Sequence, residues 1–138
     1  MKHERSCGTI PFTFKGGKRF YLLVSPAGRE SYGFPKGHME MGESELATAI
    51  RETEEETSLK VTPIEAFHRT VEYSPKRGVM KRVDYFLASY SGNPHHKMGF
   101  EHMSYRVLPF EEALQCLAHQ QHVEILREAE AFLCKEGV

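Results

Sequence analysis

Glu52, Glu55 and Glu56 stand three and four positions apart in a stretch with helical character, and residues at such spacing are neighbours on a helix surface. Like charges packed this way oppose the helix by roughly a few tenths of a kcal/mol per pair and raise one another's pKa. A hard divalent cation relieves both. Magnesium takes oxygen ligands and keeps several waters, so two or three carboxylates plus phosphate oxygens complete its shell; manganese is a possible substitute. Arg51 offers a second relief, because its planar fork can hold a carboxylate in place. Glu45 lies in the first turn, where it suits the helix dipole. A glutamate run also serves as a plain solvated helix face, so the surrounding residues have to decide.

The helix that must carry these groups reads as Leu46 to Ser58, with Leu46, Ile50, Thr53 and Thr57 on the side able to pack on a sheet. Cys7 to Phe14 and Arg19 to Ser25 read as strands joined by a hairpin turn over Lys15 to Lys18. Ser25 to Glu43, rich in glycine and proline, reads mostly as loop. Val61 to Tyr73 and Arg82 to Tyr90 predict two further strands, with a loop containing Pro75 and Gly78 between them. Gly92 to Phe100 predicts a loop and Ser104 to Leu108 a short strand. After Pro109 come two helices, Glu111 to Leu117 and Val123 to Lys135. The irregular alternation points to an α/β (α+β) fold with a mixed sheet covered by helices, in one domain spanning 1–138.

Composition narrows the functional classes. Hydrophobic residues at 40% and charged residues at 27% give a globular balance. A net charge of -1 supplies no global field to hold a long nucleic acid, although local positive patches remain possible around Lys76, Arg77, Lys81 and Arg82. Cys7, Cys116 and Cys134 are odd in number and widely spaced, which argues against a disulfide framework. The polar start, Met1 to Ser6, has no signal-peptide core, and no apolar run is long enough to cross a bilayer. A cytoplasmic, non-membrane protein is expected. Its oligomeric state is not legible.

The surroundings of the glutamate run are specific. Gly37 is followed after five residues by Glu43, and after seven more by Arg51-Glu52-Thr53-Glu54-Glu55-Glu56-Thr57-Ser58-Leu59. This resembles the Nudix box, with each charged position filled at the right spacing. Thr53 stands where the pattern has an apolar residue, and Ser58 where it has glycine. A left-handed cap at Ser58 would cost about 1 kcal/mol more than with glycine. The resemblance implies an α/β/α sandwich with a central mixed sheet. It implies that Glu52, Glu55 and Glu56 bind catalytic magnesium, with the Gly37 carbonyl as a further ligand. It also implies that Glu43 and Arg51 hold the loop and helix together.

Several segments outside the box resemble one branch, the asymmetric diadenosine tetraphosphate hydrolases. They are Ser6-Cys7-Gly8-Thr9-Ile10, Gly33-Phe34-Pro35-Lys36-Gly37-His38, Glu101-His102-Met103-Ser104-Tyr105-Arg106 and Phe132-Leu133-Cys134. Phe34 and Val107 stand where many members of that branch have tryptophan, and this chain has no tryptophan. The branch splits a dinucleoside tetraphosphate into a nucleoside triphosphate and a monophosphate, so the implied partner is a nucleotide polyphosphate. The general base is left open among Glu52, Glu56 and Glu101, the last also a candidate metal ligand. Lys36 and Lys81 are candidates for phosphate contacts and His38 for a hydrogen bond to a phosphate oxygen. Tyr73 and Phe132 are candidates for an adenine clamp, with Tyr85 in reserve.

Other chemistries fit less well. His95, His96, His102, His119 and His122 lack cysteine partners at zinc-site spacing. No GxxxxGK[ST] phosphate loop and no GxSxG nucleophile turn occurs, and Asp84 is the only aspartate. Cys7, inside an expected strand, reads as core. The competing functions are a Nudix hydrolase for nucleoside triphosphates, nucleotide sugars or RNA 5' ends, and a non-catalytic nucleotide sensor.

Overall fold

The computed structural model describes residues 1–26, 30–96 and 103–138. Its elements, in chain order, are β1 (Lys2–Lys15), β2 (Lys18–Ser25), β3 (Lys36–His38), α1 (Glu45–Thr57), β4 (Thr62–Lys76), β5 (Val79–Ser89), β6 (Ser104–Pro109), α2 (Phe110–Cys116) and α3 (Gln120–Glu136). Among the described residues the strands form one mixed sheet in the order β4-β5-β1-β2-β6, with β3 also paired to β1. β1 runs parallel to β5, and the other pairings are antiparallel.

Side chains of β1 alternate between the two faces of the sheet, as the pleat requires. Ile10 and Phe12 enter a large core with Tyr21, Leu23 and Leu87, closed by Ile125, Leu126, Ala129 and Leu133 of α3. Cys7 points to the other face and packs with Ala49 of α1 and Phe86. Helices therefore cover both faces, and the mixed-sheet sandwich expected from the sequence is observed. Cys7, Cys116 and Cys134 are free thiols. No helix among the described residues is long and apolar enough to cross a membrane.

Several elements differ from the expectation, with β5 starting at Val79 and α3 at Gln120, each three residues early. β1 begins at Lys2 rather than Cys7, because pairing with β5 continues from Phe12↔Ser89 down to Lys2↔Val79; its polar start carries no periodic signal of its own. β4 runs on to Lys76, through a bulge after Tyr73. The expected loop over Ser25 to Glu43 contains β3, a strand of only three residues. Its backbone lies so close to Gly8 that a Cβ there would sit 2.1 Å from the Pro35 carbonyl oxygen.

The buried face of α1 is also rotated from the expected one. Thr48, Ala49, Thr53 and Thr57 are buried, while Leu46 and Ile50 are half-buried flanks. Threonines can occupy this interface because each hydroxyl has a partner. Thr53 Oγ1 donates to the Ala49 carbonyl at 2.8 Å and lies 2.8 Å from Thr9 Oγ1; Thr57 Oγ1 donates to the Thr53 carbonyl at 2.6 Å. Thr48 Oγ1 donates to Glu43 at 2.8 Å. The helix starts at Ser44, whose side chain accepts from the Ala47 N–H, and ends at Ser58 in the left-handed region, φ 63°. Ser58 therefore adopts the conformation for which glycine is the favoured residue.

Candidate active site

The loop before α1 and the helix itself are held together by Arg51. Its Nε and Nη2 donate to the two oxygens of Glu43 at 2.6 and 2.9 Å, a two-point pair. Nη2 also reaches the His38 carbonyl at 3.0 Å, and Nη1 donates to Glu52 at 2.8 Å and to Glu55 at 3.2 Å. The Arg51 guanidinium, with the Glu40 N–H and Thr48 hydroxyl, holds the Glu43 carboxyl down at about 2. Glu43 is thus a fixed anion at any working pH.

Glu52 lies directly over β3. A Cβ on Gly37 would stand 2.0 Å from the Glu52 carboxyl carbon and from one of its oxygens, so the missing side chain at 37 makes the space the carboxylate fills. Glu56 lies one turn further on. Burial pushes its carboxyl up to about 7, with the charges of Glu52 and Glu55 adding to the effect; Lys36, through its charge and backbone N–H, opposes it. Lys36 is itself pushed down by burial and by the neighbouring charge of Lys81. The Tyr105 hydroxyl donates to the Glu56 carbonyl at 2.5 Å and ties the end of α1 to β6.

Three carboxylates on one helix turn, with no soft donor among them, fit a hard divalent cation that keeps part of its water shell. Their oxygens do not close on a single point. Among the described residues, the one trio whose possible ligand atoms lie within 4.8 Å of one another is Cys7, Glu45 and Asp84. That trio is poorly suited to a metal. Arg5 bridges Glu45 and Asp84, and Arg82 donates to Asp84 at 3.2 Å, so the negative charge is already answered. Burial, then the charges of Asp84 and Glu45, push the Cys7 thiol up to about 11, which keeps it protonated and a weak donor.

Beside Glu56 and Lys36 opens a cavity of about 490 Å³, walled by Tyr32, Phe34, Val71, Tyr73, Met103 and the first residues of α3. Such a volume suits a small-molecule ligand. Tyr73, 37% exposed, lies at this cavity. Lys81 pairs with Tyr73 across the strands and neighbours Lys36. The structure therefore brings together Gly37, Glu52, Glu55, Glu56, Lys36, Lys81 and Tyr73. His38 contributes its carbonyl to Arg51, while its side chain is exposed.

Two proposed clamp residues are corrected. Tyr85 is fully buried and its hydroxyl lies 3.2 Å from His122 Nε2, so its ring offers no stacking face. Phe132 is half-buried and packs edge-on against Phe67 at 5.6 Å, at the margin of the core, and does not line the cavity. Glu101 lies outside the described residues. The residues at the cavity are instead His119, which precedes α3, and Gln120, Gln121 and His122 of its first turn. The three-residue spacing of the two histidines was visible in the sequence, but only the placement of α3 shows what they face.

The NUDIX domain profile matches residues 2–129. The asymmetrical bis(5'-nucleosyl)-tetraphosphatase of Mus musculus is 36% identical over 141 residues, covering 94% of this chain and 95% of that protein. The protein of the same name from Caenorhabditis elegans is 31% identical over 133 residues, covering 94% and 96%. The crystal structure of a C. elegans Ap4A hydrolase binary complex superposes with a TM-score of 0.84 at 29% identity, covering 96% of this chain and 98% of that one.

Proposed function

The chain belongs to the NUDIX family, and we propose that it is a magnesium-dependent hydrolase that cleaves diadenosine tetraphosphate to ATP and AMP. The observation that carries this reading is the junction of an acidic helix face with a nucleotide-sized cavity: Glu56 belongs to both, and Lys36 of β3 lines the cavity beside it. The length-spanning likeness to asymmetrical tetraphosphatases supports the choice of substrate.

In this reading Glu52, Glu55, Glu56 and the Gly37 carbonyl hold magnesium. Bound there, the ion neutralises polyphosphate charge and brings the ionisation of a water ligand towards neutral pH. Lys36 and Lys81, set side by side, offset the charge of neighbouring phosphate oxygens. Tyr73 gives the adenine ring a stacking surface. The Glu56 carboxyl, close to Lys36 and buried, is the group placed to take a proton from attacking water. Arg51 fixes Glu52 and Glu55 while its other nitrogens anchor the Glu43 loop.

Incubation with diadenosine tetraphosphate and magnesium, with the nucleotides then resolved, tests the reaction. ATP plus AMP is the expected product pair; two ADP molecules, or rapid cleavage of a nucleoside triphosphate without turnover of the dinucleotide, refutes the substrate choice. Glu55→Gln and Glu56→Gln should each lower turnover by orders of magnitude with the fold retained, since each removes a charged ligand. Full activity in both variants would refute the acidic platform and leave room for a non-catalytic nucleotide sensor.

A further inference from the structure

Of the residues that α3 brings to the cavity, His122 has little to offer a ligand. Its Nδ1 is buried, with Gly33 so near that a Cβ there would stand 3.3 Å away, and its Nε2 lies 3.2 Å from the Tyr85 hydroxyl. Gln121 differs. It is exposed, it lines the cavity, and its side chain is tethered: Nε2 donates to the Glu72 carbonyl at 3.4 Å. β4 is an edge strand of the sheet, and Gln121 answers one of its backbone carbonyls from the first turn of α3. Only the amino end of an amide can bond to a carbonyl, so the contact also settles which way the amide faces.

Oε1 is the end left over. Among the described residues it meets no donor. Glu72 immediately precedes Tyr73, the 37% exposed ring at the same cavity. The tether therefore sets a neutral acceptor beside the stacking ring, on a side chain that solvent and ligand can both reach. Stacking itself is tolerant, because every base has a π-face. What tells one base from another is the pattern of donors and acceptors along its edge. A carbonyl oxygen placed there favours a base that presents an amine.

We propose that Gln121 is a specificity-determining residue whose Oε1 accepts from the exocyclic amine of an adenine stacked on Tyr73. The proposal rests on the nucleotide-hydrolase reading of the site and adds the group that selects the base. Unsubstituted purine has the same fused rings as adenine and only a hydrogen where adenine carries the amine. Because the amide is exposed, water competes for both partners, and the bond changes affinity by a modest factor, roughly three- to tenfold. An Oε1 without the amine keeps its water, so a base that lacks the amine is disfavoured and not shut out.

The test separates base recognition from catalysis. Binding of AMP and of purine riboside 5'-monophosphate is measured by titration calorimetry in magnesium, without turnover, for the wild type and Gln121→Met. The two nucleotides differ only in the amine, and methionine keeps the length of the side chain while removing the acceptor. AMP should bind the wild type roughly three- to tenfold more tightly than the purine nucleotide. Gln121→Met should weaken AMP to the level of the purine nucleotide and leave the latter within about twofold of its wild-type affinity. With diadenosine tetraphosphate the loss should appear in KM, with kcat little changed. Equal weakening of both nucleotides, which a merely structural role would give, overturns the proposal. So does an unchanged ratio in Gln121→Met, a wild type that does not distinguish the two or binds neither, or a fall in kcat at constant KM. If Gln121→Met does not fold, Gln121→Ala takes its place under the same criteria, since alanine suits a helical position. Failure to hydrolyse any dinucleoside tetraphosphate would refute the proposed reaction, and the two titrations would still decide the role of Gln121.

Discussion

Replacing His122 by phenylalanine should flatten the dependence of stability on pH between 8 and 5. In the unfolded chain the imidazole titrates near 6.5, and in the folded protein burial, reinforced by His119 and Lys36, pushes it to about 4. Between those values the unfolded state binds more protons, so stability falls as the pH falls. Near pH 8 both states are neutral and the group contributes nothing to the slope. At pH 5 almost all unfolded molecules carry the extra proton and few folded ones do. The linkage then amounts to about 2 kcal/mol, counted as 1.36 kcal/mol per decade of protonation difference. For a chain of this size that is a fall in Tm of roughly 4–8 °C beyond what other groups produce. Calorimetric melts in EDTA at pH 8, 7, 6 and 5 measure it, with the two proteins compared at each pH. The variant will differ at pH 8 through the lost Tyr85 hydrogen bond, so the change in difference with pH is the quantity that counts. Parallel Tm curves for wild type and variant would refute the assignment of a neutral, buried imidazole at this position.

Other expected outcomes follow from individual contacts. Gly37→Ala places a Cβ 2.0 Å from the Glu52 carboxyl; turnover should fall by orders of magnitude, and unaltered magnesium-dependent kinetics would contradict the geometry. Ser58→Gly relieves a left-handed serine whose hydroxyl is buried without a partner, and should raise stability by about 1 kcal/mol in denaturant titrations; a clear loss would show that the conformation is wrong. Asp84 is fully buried and accepts from Thr70 at 2.7 Å, with His68 at 2.8 Å and Arg82 at 3.2 Å. Burial alone would raise its carboxyl, but these partners hold it below the usual range. Asp84→Asn should therefore destabilise the fold by about 1–3 kcal/mol, since it removes a buried charged acceptor while its cationic partners stay half-exposed to water; a change below 0.5 kcal/mol (roughly the noise of a surface substitution), by the same denaturant titrations, would count against that hub.

The carboxylate helix was legible because its information is local. The spacing of Glu52, Glu55 and Glu56 is fixed by helical geometry, and Arg51 needs only one turn to reach Glu55 and the preceding loop to reach Glu43. The buried face of the same helix was read less well. Apolarity favoured Leu46 and Ile50, whereas hydroxyl partners in the preceding loop, on the sheet and in the helix backbone let Thr48, Thr53 and Thr57 go inside. Propensity has no way to count a partner 44 residues away.

The expected adenine clamp failed for a related reason. Tyr73 and Phe132 are both aromatic, but whether a ring faces a cavity or a core depends on how α3 lies across the sheet. Phe132 meets Phe67 and Tyr85 meets His122, so both are consumed by packing. The short strand β3 was hidden as well, since Lys36, Gly37 and His38 carry no strand signal and pair only because Gly8 lets that backbone approach.

By itself, then, the sequence determined the acidic helix, its arginine clamp and the mixed α/β architecture, all of which follow from short-range spacing and patterning. The cavity beside Glu56, the pairing of Lys36 with Lys81 and the unanswered nitrogen of His122 were decided only by tertiary structure. Each depends on segments far apart in the chain meeting at one place, where burial changes how a side chain ionises and what it can reach.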